Sequence, residues 1–158
     1  MLRHFKESGR DNILFAPFPP DFEHDRNFMI KANRESLLKT DKQVNWRKIW
    51  GYFDDDKLIG HVDLKGAHLD AALHRCVLGM GIEFDYHRQG IASNLMEIAI
   101  NWCKENEIIE YLDLYVFEHN YKARNLYKKF GFKEIAKVDD MFRTLDKKIN
   151  DIHMSLKV

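Results

Sequence analysis

The stretch "DYHRQGIAS", Asp85 to Ser93, decides how this chain is read. An apolar run, "RCVLGMGIEF" (Arg75 to Phe84), leads into it and predicts a strand. Beyond it Ile91, Leu95, Ile98, Ala99 and Trp102 recur at i, i+4, i+7, i+8 and i+11, which predicts a helix from Gly90 to about Glu107. A strand therefore passes into a helix through a glycine, with His87, Arg88 and Gln89 just ahead of it. Backbone N–H groups in a helix's first turn have no intrahelical partner and carry partial positive charge. An anion placed there satisfies them. Gly90 and Ala92 would let it approach, and Arg88 would add a cation. Alone, the pattern fits an ordinary turn as well as an anion cradle.

The pattern on either side predicts one domain. Upstream, "NILFAPF" (Asn12 to Phe18) reads as a short strand ended by prolines, and Asp21 to about Lys39 as helical, with Phe22, Met29 and Ala32 on one stripe and Leu37 and Leu38 further on. "WRKIWGYFD" and "KLIGHVDLKG" form a hairpin across an Asp-rich turn. Downstream, "YLDLYVF" (Tyr111 to Phe117) alternates as a strand does. The helix from Tyr121 to Phe130 buries Ala123, Leu126, Tyr127 and Phe130 and stops at Gly131. "FKEIAKVDDMFR" and "NDIHMSLKV" are two closing strands around a charged turn. This order predicts a mixed α/β sheet with helices on both faces.

Composition sets the outer limits. A chain of 158 residues, 45% hydrophobic and 32% charged, is long enough to bury a core. Its 25 Lys and Arg balance 25 Asp and Glu, which argues against DNA or an anionic membrane as partner. No apolar leader or membrane span appears, and Cys76 and Cys103 form no CxxC pair, so each reads as a small core residue and a reducing cytoplasm is expected. The eight histidines have no metal-ligand spacing, so no metal is implied.

Two further features bear on the cradle. Gly79 and Gly81 weaken a strand expected well inside the sheet, which suggests a bulge or close approach by something else. A splayed strand with free backbone groups could pair with an amide-bearing ligand as an added strand would. A ligand with both amides and a pyrophosphate would satisfy both sites, and coenzyme A has that shape. The second feature is "NYKARNLYKKFGF", Asn120 to Phe132. Asn120 reads as an N-cap and Tyr127 as a core aromatic. Lys122, Arg124, Lys128 and Lys129 form either a solvated helix face or a screen for nucleotide phosphates.

Together, "HRQGIA" between strand and helix and the later "NxxAxxLYxKxGF" pattern resemble the GNAT superfamily of N-acetyltransferases. The likeness is strongest from about Val77 to Phe132, and "DDMFRTLDKKINDIHMSL" resembles the closing strands of that fold. The tail and "LYVFEHN" resemble the bacterial branch holding L-amino acid N-acyltransferases and amino-terminal acetyltransferases. The resemblance implies a mostly antiparallel sheet with a splayed central strand pair, and acetyl-CoA as acyl donor. It further implies that Arg88, Gln89, Gly90, Ile91, Ala92 and Ser93 cradle the pyrophosphate. Met80, Gly81 and Ile82 would pair with the pantetheine arm, and Asn120 would hydrogen-bond the cofactor. Tyr127 would protonate the departing thiolate, because a phenol can donate to a developing thiolate. His87 departs from the family's Gln or Arg at the loop's first position.

The general base is not carried over, since Tyr115 stands where some relatives have a glutamate. Glu83 is the nearest carboxylate in sequence and His74 begins the same strand. Lack of a strong base favours α-amines over lysine amines, which are almost wholly charged near neutral pH. The expected acceptor is a small molecule or amino acid attacking directly in a ternary complex. The alternatives are a protein N-terminus, ribosomal for instance, and a non-catalytic acyl-CoA-binding module. Phe18, Phe22, Phe28, Trp46 and Trp50 suggest an enclosed aromatic pocket for a small acceptor, and core packing accounts for them equally. The exposed closing strands leave a homodimer open.

Overall fold

The computed structural model describes residues 26–143 and 147–158. The strand expected at Asn12 to Phe18 lies outside them, as do Phe22 and the start of the first expected helix. Helix α1 is Arg26–Leu37. Strands β1 (Arg47–Asp54) and β2 (Lys57–Gly66) form the expected hairpin. The rung Asp54↔Lys57 closes a two-residue turn, in which Asp55 takes the left-handed conformation (φ 49°) that aspartate tolerates. Strand β3 is Arg75–Ile82, helix α2 Ile91–Glu105, and strand β4 Tyr111–Phe117. Helix α3 (Tyr121–Lys129) and strands β5 (Lys133–Arg143) and β6 (Lys148–Lys157) complete the order. Gly131, at φ 90°, ends α3 as its sequence indicated.

The six strands form one sheet in the order β1-β2-β3-β4-β6-β5. Only the β3–β4 pair is parallel, and each other neighbouring pair is antiparallel. That parallel pair is short. Its rungs are Arg75↔Tyr111, Cys76↔Leu112 and Val77↔Asp113, and pairing stops there, although β3 runs on to Ile82 and β4 to Phe117. The splayed central pair is thus present.

Alternation divides the sheet into two unlike faces. Val62 and Leu64 of β2, Cys76 and Leu78 of β3, Leu112, Leu114 and Val116 of β4, and Ile152 and Met154 of β6 are buried in the apolar core. Helix α2 covers this face with Ile91, Leu95, Met96, Ala99, Ile100 and Cys103. Ile98, expected on the buried stripe, is 42% exposed instead. It lies about 100° round the helix from Ala99, at the margin of a stripe centred further toward Met96 and Cys103. The residues between them in register face the other side: His61 and Asp63, Gly79 and Gly81, Asp113 and Tyr115, Asp151 and His153. Of these, His61, Asp63, Asp113 and Asp151 are buried polar groups. Helix α1 joins this polar face, where Asn33 accepts a hydrogen bond from Arg47 and Arg47 Nε lies 2.8 Å from Asp63. Helices therefore lie on both faces, as expected. Leu37 and Leu38, read as a continuation of the helix stripe, are 46% and 80% exposed because α1 ends at Leu37.

Two sequence readings take a different physical form. Strand β3 is unbulged against β2, with seven consecutive rungs from Gly60↔Ile82 to Gly66↔Cys76. Gly79 instead makes way for Asp63: a Cβ there would stand 2.5 Å from Asp63 Oδ1. Trp46 and Trp50 join the packing against a helix. Their rings pack on Trp102 of α2 at 5.5 and 6.0 Å, on the apolar face. No helix among the described residues is long and apolar enough to cross a membrane.

Candidate active site

The parted β3 and β4 strands define a cleft whose vertex is the rung Val77↔Asp113. Along one side run Leu78 to Ile82 of β3. They are bonded to β2 on their outer edge and, among the described residues, pair with no strand on the edge facing β4. Met80, Gly81 and Ile82 lie in this stretch, so backbone groups stand free to pair where the sequence placed a pantetheine arm.

At the open end of the cleft, Glu83 to Tyr86 leave the strand in a short 3-10 turn. His87 Nε2 donates to the Ile82 carbonyl oxygen at 3.2 Å, so this departure from the family pattern fastens the loop back onto β3. Arg88 takes φ 63° and Gly90 φ 82°, and these two left-handed residues swing the chain into α2. No side chain caps that helix. The first-turn N–H groups of Ile91, Ala92 and Ser93 thus remain available, below an exposed Arg88 and Gln89. A Cβ on Gly90 would meet no atom within 4 Å. The fold needs glycine there for its φ, and the space before it is open.

Helix α3 borders the cleft on the apolar side. The Asn120 side chain caps it, Oδ1 accepting from Ala123 N at 3.2 Å, which leaves the amide Nδ2 for another partner. Tyr127 is half-buried, with its ring 5.9 Å from Phe132. Its phenol has no hydrogen-bond partner among the described residues, and burial pushes it up to about 12. Its height in the sheet follows from register. Phe132 precedes Lys133, which pairs with Ser155, and Ser155 pairs with Asp113. Tyr127 therefore lies level with the vertex, toward the β5 side of the sheet.

The basic face of α3 is only partly open to a nucleotide. Arg124 donates to Glu134 Oε1 at 2.8 Å and to the Glu118 carbonyl at 2.7 Å, and Lys128 lies 3.0 Å from the same Glu134 oxygen. These partners, Arg124 first, hold the Glu134 carboxyl below its ordinary range. Lys122 and Lys129 are exposed.

Neither residue considered as base lies at the vertex. Glu83 is six positions beyond Val77, about 20 Å at roughly 3.3 Å per residue. It is buried, with Lys57 Nζ 3.3 Å away. His74 lies at the closed end of the pair, its ring edge-on to Tyr111 at 6.2 Å. The structure thus sets the free strand edge and the loop along one side of the cleft, places Asn120 just beyond β4 and Tyr127 level with the vertex, and leaves Glu83 and His74 at the cleft's two ends.

The sequence reading missed what the polar face places at the vertex. Asp113 is buried and takes two hydrogen bonds from Arg75, Nε to Oδ2 at 2.8 Å and Nη2 to Oδ1 at 2.7 Å. Arg75 Nη2 also reaches Ser155 Oγ at 3.3 Å. His153 Nε2 stands 3.8 Å from Asp113 Oδ1, and its ring stacks on Tyr115 at 4.5 Å. The alternating "YLDLY" and "DIHMS" runs held the only signal, an aspartate and a histidine on the same face of two strands. The partner of Asp113 follows from register, which the sequence does not state.

Comparison with known proteins completes the description. Residues 11–132 match the family model described as the acetyltransferase (GNAT) family. L-amino acid N-acetyltransferase AaaT of Escherichia coli K12 is 28% identical over 79 residues, covering 50% of this chain and 49% of that protein, so the match spans about half the length of the curated relative. The fold is similar to that of smu.2055 from Streptococcus mutans UA159, with TM-score 0.76 and 20% identity over 99% of this chain and 95% of that one. It is also similar to that of yncA from Salmonella typhimurium, solved with its cofactor acetyl-CoA, with TM-score 0.78 and 10% identity over 99% of this chain and 86% of that one. With the family's model matching residues 11–132, most of its length, the chain belongs to the acetyltransferase (GNAT) family.

Proposed function

We propose that the chain is an N-acetyltransferase that moves an acetyl group from acetyl-CoA to a primary amine by direct attack in a ternary complex. One observation carries the reading: β3 and β4 part after Val77↔Asp113, and the cleft opens toward an uncapped helix start led by Gly90. An elongated donor with two amides and a pyrophosphate fits both features. Met80, Gly81 and Ile82 would hold its arm, Arg88 to Ser93 its pyrophosphate, and Asn120 Nδ2 a further oxygen. Tyr127, level with the vertex, would face the thioester in this reading. A phenol that keeps its proton to about 12 donates a hydrogen bond throughout the working range. A thiolate developing in the same poorly solvated space is pushed up too, so the proton can follow.

The acceptor is a small α-amine or amino acid in this reading. Support comes from the name of the partial relative, an L-amino acid N-acetyltransferase, and from the easier deprotonation of an α-ammonium. Two buried thiols with sulfurs 3.9 Å apart, both free, favour a reducing compartment such as the cytoplasm. Thiol release from acetyl-CoA against amino acids, polyamines, aminoglycosides and N-terminal peptides tests the assignment. Turnover restricted to peptides would move the substrate to a protein N-terminus. CoA binding without thiol release on any amine would leave an acyl-CoA-binding module. A thermal shift with CoA at about 100 times Kd should register roughly 2.7 kcal/mol of added stability, and its absence would overturn the whole reading.

A further inference from the structure

We propose that His153, positioned by Asp113, is the general base that deprotonates the acceptor amine at the cleft vertex. The inference rests on the acetyltransferase reading and supplies the group which that reading lacks. Register carries it. Asp113 is the last β4 residue bonded to β3, and Tyr115, the next residue on the same face, pairs directly with His153. Tyr127 lies on the apolar side, level with Asp113 through Phe132 and the Lys133↔Ser155 rung, two residues along the strand from the level of His153. A thioester at the vertex thus has the phenol on one side and the imidazole on the other.

The imidazole is held as a base requires. Its Nε2 is buried and has no hydrogen-bond partner among the described residues, and Asp113 Oδ1 stands 3.8 Å away. The side chain as a whole keeps 24% of its surface, so the exposure lies on atoms other than Nε2. A proton on Nε2, toward the carboxylate, leaves Nδ1 with its lone pair for the substrate. Stacking on Tyr115 fixes the ring plane, and Arg75 fixes Asp113 through two bonds. The titratable and charged groups on this face around His153 are Asp113 and Tyr115 of β4, Arg75 of β3, Asp151 of its own strand and Lys133 of β5. Asp113 is a positioning residue in this scheme.

The protons balance. His153 Nδ1 takes one from the ammonium, and the neutral nitrogen attacks the thioester carbonyl carbon. As the C–N bond forms and the C–S bond breaks, the C–S electron pair leaves with sulfur. Tyr127 gives its proton to that sulfur and recovers one from the new amide nitrogen. His153 releases its proton to water, so each turnover yields amide, free thiol and one proton.

The test compares wild type, His153→Gln and His153→Ala, each checked for CoA binding by thermal shift, using the amine that the thiol-release panel identifies. With both substrates saturating, wild-type kcat should fall on the acid side. His153→Gln should lose about 100-fold in kcat and change that acid-side fall, with KM for acetyl-CoA unchanged. Added imidazole should restore part of the activity of His153→Ala, which a merely structural role would not produce. An active wild type with an unaltered kcat and pH profile in His153→Gln overturns the base alone. A wild type that transfers no acetyl group to any amine overturns the acetyltransferase reading, and the base with it.

Discussion

Replacing Gly90 separates the two jobs that the cradle gives one glycine. The residue sits at φ 82° and ψ −9°, and a Cβ there would meet no atom within 4 Å. In Gly90→Ala the stability loss is therefore conformational alone, about 1–2 kcal/mol for a left-handed alanine. In a domain of this length that lowers Tm by roughly 2–8 °C. Binding suffers separately. The methyl group projects into the space before the first-turn N–H groups, where a phosphate oxygen must come. Losing one hydrogen bond to a charged group costs about 1.5–3 kcal/mol, or roughly 10- to 100-fold in the Kd for CoA. Gly90→Asn separates these effects, because asparagine tolerates the left-handed region better but fills more of the space. It should melt closer to wild type and bind CoA at least as weakly as the alanine variant. Urea unfolding gives the first quantity and calorimetric titration with CoA the second. A Gly90→Ala protein that is less stable yet binds CoA as wild type does would refute the reasoning, since the glycine would then serve its φ and nothing else.

Three more outcomes follow from the geometry. Tyr127→Phe should keep CoA affinity and lose about 100-fold in kcat. The raised phenol also sets a sign: stability from burying it neutral is complete below about pH 10 and lost as pH rises through about 12, so urea titrations at alkaline pH should show wild type losing more stability than Tyr127→Phe. Arg75→Met strands the buried Asp113 carboxylate and should cost about 3–5 kcal/mol by urea unfolding, whereas Arg75→Met with Asp113→Asn should recover much of it. Asp151 is buried, and desolvation raises its carboxyl above the ordinary range. Its charge therefore weighs against the fold at neutral pH. Asp151→Asn should be more stable than wild type at pH 7, with the gain vanishing at a pH below the unfolded carboxyl value of about 3.9.

Much of the fold was legible because the signals were local. The Gly90 turn, the Asn120 cap, the Gly131 stop and the two-residue Asp55–Asp56 turn each act through neighbouring backbone, and each stands where its residue type indicated. The reason for Gly79 was not legible. A glycine in a strand signals only that something comes close, and here it is the Asp63 carboxylate from the next strand. Similarly, Cys76 and Cys103 are 27 positions apart, and only the packing of α2 on β3 brings their sulfurs to 3.9 Å. Their mutual contact and burial push the Cys76 thiol up, as for an unreactive core residue. Glu83 was attractive as a base because it is close in sequence to the loop. Nearness to the loop places it at the open end of the cleft, about 20 Å from the vertex at roughly 3.3 Å per residue.

That last point turns on one rung. Alternation makes the side of every residue in β3, β4 and β6 depend on register, and a slip of one residue would exchange the two faces. With Val77 opposite Asp113, the apolar set of β4 meets α2, while Asp113 and Tyr115 point to the polar side. The same rung is where the strands part, so the site's one fully buried carboxylate at the vertex stands where the cleft begins. The β4–β6 register then places His153 against Tyr115, and the β5–β6 register sets Tyr127 on the other face, level with Asp113 and two residues from that rung. In the proposed scheme acid and base lie on opposite faces of one sheet, both across the cleft from the free edge of β3. A donor laid along that edge would present its thioester to both, and an amine entering from the polar face would reach the imidazole first.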